Sequence, residues 1–298
     1  MKNHLCIPAK WPPILPTVLA VLILHGLTAF YHPRTTKSEE EIRLIVRADD
    51  MGITLATNKA VIESFRNGIV TAAEVIVTGP WFLDAVERLK KHPDLDVGVH
   101  LTLTSEWERL KWRPITDCPG LVDSNGYFHP VIWQGRSFSA DQALEAQPWK
   151  IEEIERELRG QIELALQHLP HISHVSGHMG FQSLSPEVDR LVGELAAGYG
   201  LIYKTSLKRL DFRKDHSAES YVPAFVRALE KASPGSYLFV EHPALEGPEM
   251  EEVYMKVYMD VASDRQKVTN MFTDKQVQDV IRNRRVALIN YKDLVDEK

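Results

Sequence analysis

Apolar positions along this chain alternate between two rhythms. The run Ile42-Arg43-Leu44-Ile45-Val46 has strand character. Val61, Ile62, Phe65 and Ile69 then recur at helical spacing, and Asn67-Gly68 supplies a helix stop. Residues 69 to 77 are β-branched and apolar and close at Gly79-Pro80. Phe82, Val86 and Leu89 next share a helical face, with Lys90 and Lys91 in the last turn and Pro93 beyond it. The pattern continues with a strand over 95–103, a long amphipathic helix over 151–169 and a short strand over 172–176. A helix over 186–197, a strand over 201–203 and a helix over 222–231 come next. A strand over 237–240, a helix over 273–283 and a last strand over 286–291 complete it. Such alternation predicts an α/β fold with a parallel sheet under covering helices, either closed into a TIM-like barrel or open and doubly wound. In both, reactive residues collect at the carboxyl ends of the strands.

Residues 104–149 interrupt this rhythm after the third strand. They hold four of the six tryptophans, Trp107, Trp112, Trp133 and Trp149, and a turn signal at Ser124-Asn125-Gly126. A loop of that length inside a domain is uncommon and is often functional. Its rings either stack on a sugar face or pack the insertion onto the body. The Glu/Arg-rich side of the long helix over 151–169 reads as a solvated face.

The N-terminus differs in kind. Lys2 and Lys10 precede an apolar run from Ile14 to Leu24, followed by small residues up to Ala29. Residues 1–31 therefore read as a secretory signal or an uncleaved membrane anchor, and 32–41 as a polar linker. An exported protein, periplasmic or extracellular, or one anchored by that segment, is the expectation. Any membrane contact is assigned to the segment alone. Of the two cysteines, Cys6 lies in the leader, so Cys118 has no internal partner after processing.

Composition adds little. The chain has 298 residues, of which 44% are hydrophobic and 26% charged, with a net charge of -6. A mild acidic excess without a basic stripe gives no reason to expect nucleic acid. No Gly-rich phosphate loop follows the first strand, which disfavours a nucleotide site. A homodimer is compatible with the sequence.

The chemistry sits at strand ends. Asp49-Asp50, His100, His178 and His242 each close a predicted strand, so a parallel sheet projects all of them at one end. Two imidazoles and one carboxylate form a ligand set that leaves positions open on a divalent ion for water and substrate. Adjacent acids can divide the work, one binding a metal and the other acting as a base. Asp49 can take the water proton, and His242, with an unperturbed pKa near neutrality, can protonate a leaving group.

Five segments, in order, resemble the signatures of the YdjC-like carbohydrate deacetylases, also called the chitooligosaccharide (diacetylchitobiose) deacetylase family. They are Ala48-Asp49-Asp50-Met51-Gly52, Gly68-Ile69-Val70-Thr71, Val97 to Thr104 around His100, Ser176-Gly177-His178-Met179-Gly180, and Glu241-His242-Pro243. The likeness covers residues 42 to 295 and implies one deacetylase domain over 42–298. It further implies an irregular (β/α) barrel like that of polysaccharide deacetylases, carrying the aromatic-rich insertion. By the same resemblance Asp49 matches the catalytic base, Asp50, His100 and His178 match the metal ligands, and His242 takes the acid role. Where many members carry Ser-His-x-His-x-His, this chain keeps the first histidine, His178, and has Gly180 and Gln182 for the other two. Arg47 stands where Asn is common, and Glu241 and Ala244 replace a Cys and a Gly beside His242.

The expected activity is removal of acetyl groups from N-acetylated sugars or oligosaccharides, dependent on one divalent ion, Zn2+ or Mg2+, through attack of a metal-bound water. Two alternatives share the scaffold: hydrolysis of another glycan bond such as an O-acetyl ester, and glycan binding without catalysis.

Overall fold

The strand that leads to Asp49 is buried along its whole length, and the sheet is built around it. In the computed structural model, which describes residues 41–212 and 221–294, β1 (Ile42–Met51) runs through the centre of a seven-stranded parallel sheet. The other strands are β2 (Ala72–Val75), β3 (Asp96–Leu101), β4 (His174–Gly177), β5 (Lys208–Arg209), β6 (Gly235–Glu241) and β7 (Ala287–Leu288). Their order is β4-β3-β2-β1-β6-β5, and β7 pairs with the first residues of β1. Among the described residues no pairing joins β4 to β5, so the sheet is an open, curled half-barrel and not a closed TIM barrel. The expected leader and, apart from Glu41, the linker lie outside the described residues. No described helix is long and apolar enough to cross a membrane.

Alternation along each strand sends successive side chains to opposite faces. One parity (Leu44 and Val46 on β1, Val97 and Val99 on β3, Phe239 on β6) packs outward into the main apolar core. Against it lie α1 (Leu55–Arg66), α2 (Phe82–Lys90), α3 (Ile151–His168) and α4 (Pro186–Gly198). The shell continues with α5 (Tyr221–Lys231), a single turn α6 (Pro248–Glu251), α7 (Val261–Thr273) and α8 (Lys275–Asn283). The opposite parity faces inward and is mostly polar: Arg47 and Asp49 on β1, Glu74 on β2, His100 on β3 and His174 on β4, all buried. Its apolar part is a small cluster around Ile45, Ala72, Leu238, Ile289 and Tyr291.

Three expectations change. The strand expected over 201–203 is a single bridge, Ile202 to His174, which extends the β4 edge by one pairing. Helix α7 carries no clear apolar period in the sequence, because Arg265 and Thr269 occupy its buried face. The acidic side of α3 is not wholly solvated. Glu157 is fully buried and accepts from the backbone N–H of Ile115 and Thr116 at 3.1 and 2.9 Å, while Glu153 accepts from Gly120 N–H at 3.0 Å. These acids anchor the insertion, which is loop and short 3₁₀ turns with buried backbone that needs acceptors and donors. Within it Trp107 and Trp112 are buried, Trp149 packs partly against the core, and Trp133 is exposed. Packing therefore accounts for three of the four rings.

Candidate active site

Two adjacent residues of a regular strand point to opposite faces, yet Asp49 and Asp50 both reach the site. The chain achieves this with a bulge. Between Ala48 and Met51 the pairing with β2 slips, three steps on β1 matching two on β2, and Asp50 takes a left-handed φ of 72°. Aspartate tolerates that conformation better than most residues, at a cost of about 1–3 kcal/mol. Gly52, at φ 103°, completes the turn, and a Cβ there would lie 2.6 Å from the Ile76 carbonyl oxygen.

Two arginines then make the acids unlike. Arg47 grips Asp49 with a fork, Nε to Oδ1 at 2.7 Å and a terminal nitrogen to Oδ2 at 2.8 Å, so both carboxylate oxygens are engaged. Arg265, from α7, donates to Asp50 Oδ2 alone, at 2.6 Å. Asp50 Oδ1 is buried and receives no hydrogen bond. Burial would raise the Asp50 pKa, but Arg265 and the neighbouring histidines hold it well below the usual carboxylate value.

That free oxygen faces two imidazoles. His178 Nδ1 lies 3.3 Å from it and His100 Nε2 lies 3.6 Å from it. Each ring is fixed through its other nitrogen: His178 Nε2 by Glu106 Oε2 at 2.9 Å, His100 Nδ1 by Ser176 Oγ at 2.7 Å. One ligand atom from each of Asp50, His100 and His178 lies within 4.8 Å of the other two, and all three residues are buried. An orphaned carboxylate oxygen and two imidazole nitrogens aimed at one point, each ring backed by a polar group, fit a divalent cation. The electrostatics agree. Burial, with the charge of His178 beside it, pulls His100 down to about 3. Burial opposes charge on His178 as well, but Glu106 and Asp50 outweigh it and push that pKa up to about 10. The carboxylates thus demand a positive charge at this point, which a bound cation would supply in place of the proton.

His242 follows β6 and lines a cavity of about 320 Å³ together with Asp50, His178 and Arg265. Its side chain is 41% exposed and its Nδ1 is 4.0 Å from Glu241. Desolvation opposes its charge, yet Asp50 and Glu241 keep its pKa above the ordinary histidine value. Trp107, Met179 and Tyr258 give the cavity an apolar wall. Met179 and Gly180 both adopt left-handed backbone directly after His178, which turns Met179 outward to 43% exposure.

The structure therefore gathers Asp49, Asp50, His100 and His178 and places His242 on the same cavity. It adds three residues that the sequence reading missed. Glu106 lies just beyond β3, six positions after His100, close enough to have been suspected. Glu74 sits on an inward strand position that reads as one polar interruption in an apolar run. Arg265 carried no signal, since nothing local marks an arginine on an unrecognised helix.

Residues 43–283 match the family model described as YdjC-like protein. A carbohydrate deacetylase of Brevibacillus brevis is 30% identical over 275 residues, covering 85% of this chain and 100% of that protein. A carbohydrate deacetylase of Thermoanaerobacter pseudethanolicus is 28% identical over 264 residues, covering 83% and 97%. Among solved structures, an Enterococcus faecalis protein provisionally named for cellobiose-phosphate cleavage superposes with a TM-score of 0.68 at 24% identity. It covers 86% of this chain and 99% of its own, and the likeness establishes the fold.

Proposed function

Because the chain belongs to the YdjC-like protein family, and because its inward strand ends converge on one polar point, we propose that it is a divalent-metal-dependent carbohydrate deacetylase acting on N-acetylated sugars. The observation that carries this reading is the buried Asp50 Oδ1, which accepts no hydrogen bond and faces His100 and His178, beside an Asp49 that is engaged by Arg47. A cation held by Asp50, His100 and His178 would supply Lewis-acid polarisation of the acetyl carbonyl and acidify a water; two imidazoles favour zinc over magnesium.

The protein's own groups do the remainder. Asp49, oriented by the Arg47 fork, accepts the proton of the attacking water. An amine leaves a tetrahedral carbon readily only when protonated. His242, whose pKa Asp50 and Glu241 raise above the ordinary histidine value, gives its proton to the sugar nitrogen as the C–N bond breaks. Water and amide become acetate and a free amino sugar. Tyr258 and Met179 offer apolar surface against which a sugar ring can lie. Export or membrane anchoring rests on the N-terminal run alone and would be tested by fractionating cells that produce the full chain.

The test of function is acetate release from a panel of N-acetylated and O-acetylated sugars, with chelator and with added zinc or magnesium. Chelator-sensitive acetate from an N-acetylated sugar is the expected result. Release only from O-acetylated sugars would reassign the bond, and no release from a metal-loaded protein would sink the deacetylase reading.

A further inference from the structure

Behind the two acids the inward face continues as a buried polar chain that the reaction above does not use. Arg47 presents its remaining nitrogen, Nη1, to Tyr291 Oη at 3.1 Å and to Glu74 Oε1 at 3.3 Å. Glu74 is fully buried, and neither carboxylate oxygen has a hydrogen bond of good geometry. On its other side His174 Nε2 stands 3.2 Å from Oε1, and the His174 ring stacks on Tyr291 with centroids 3.6 Å apart. The room for that ring comes from Gly98, where a Cβ would sit 2.5 Å from the imidazole. Burial would raise the Glu74 pKa, but His174 and Arg47 hold it below the ordinary value, so a carboxylate is maintained there.

A buried carboxylate in this place needs a reason, because an apolar residue would remove the desolvation cost. The geometry of the neighbouring acids supplies one. Asp49 Oδ2 lies 3.7 Å from His100 Nε2, and Asp50 Oδ1 lies 3.6 Å from it. Distance to His100 alone does not separate the acids; Asp50 also lies 3.3 Å from His178, and the Arg47 fork occupies both oxygens of Asp49. The far side of that fork is held as well. Tyr291 gives a neutral bond there, and Glu74 gives the charge.

We propose that Glu74 is a positioning residue that braces Arg47 against Asp49, keeping Asp49 oriented as the base and out of the metal's ligand set. The proposal rests on the deacetylase reading for its kinetic arm and on the metal site alone for its binding arm. Glu74→Gln keeps shape and removes charge. In the full-length chain it should lower kcat for acetate release tenfold or more, of order the loss expected from a misplaced catalytic group, with KM unchanged. After metal removal, zinc titrated against a chromogenic chelator should bind the variant about threefold or more tighter, because a released carboxylate joins the site. Glu74→Asp, which keeps the charge, should recover most of kcat. A kcat within twofold of the native value overturns the proposal, as does zinc affinity that is unchanged or weaker. Should Glu74→Gln fail to fold, Tyr291→Phe loosens the other hold on Arg47 and should move both readouts the same way by less; no movement overturns the proposal. If the native protein releases no acetate, the function is wrong, and the zinc comparison still decides the brace.

Discussion

The two faces of one sheet teach opposite lessons. Outward, Leu44, Val46, Val97 and Val99 meet helices, and any apolar side chain of suitable volume would serve. Inward, Arg47, Asp49, Glu74, His100 and His174 are as deeply buried, yet each is fixed by a particular neighbour. The outer face is held by non-directional burial, and the inner face by hydrogen bonds and charge pairs that tolerate no exchange. Burial alone therefore does not distinguish scaffold from site here; parity along the strand does, except at Asp50, which the bulge carries inward.

Substitutions on each face should separate stability from chemistry. Asp50→Asn removes the charge of the proposed ligand, and acetate release should fall by about 10³-fold or more, with metal content falling alongside. Retained metal and activity would break the distinction at its centre. Leu44→Ala on the outer face should cost about 2–5 kcal/mol of stability by denaturant unfolding, leaving turnover per folded molecule unchanged. A fall in kcat would mean that the faces are not independent. Glu106→Gln should weaken metal affinity about 10–100-fold through the loosened His178 ring, measurable by chelator competition. At the periphery, Trp133→Ala should change stability by no more than about 0.5 kcal/mol, because the ring is 45% exposed. If KM nonetheless rises, the insertion contacts sugar through that ring.

The same contrast explains what could be read from sequence. The outer parity and the amphipathic helices α2, α3 and α4 repeat on fixed periods, so the alternating architecture followed from local pattern. The acids and histidines at strand ends were legible because a parallel sheet aligns them. Glu74 was not, since one polar residue in an apolar run has no period, and its partners lie on other strands; Glu106 offered only its nearness to His100. Arg265 is the extreme case. It comes from α7, 215 positions after Asp50, and only the folded chain brings it within 2.6 Å of that acid. Glu157 failed differently: an acid among acids on α3 reads as solvated until the insertion is seen resting on it.

The bulge in β1 has a consequence for anyone who would transplant this chemistry. Copying Ala48-Asp49-Asp50 onto a straight strand of another scaffold would send one acid inward and the other beneath the helices, where it would meet Val and Leu instead of imidazole. The transferable unit is the slipped register with its left-handed aspartate, plus an arginine for each acid. A graft that carries the letters without the kink delivers half a site.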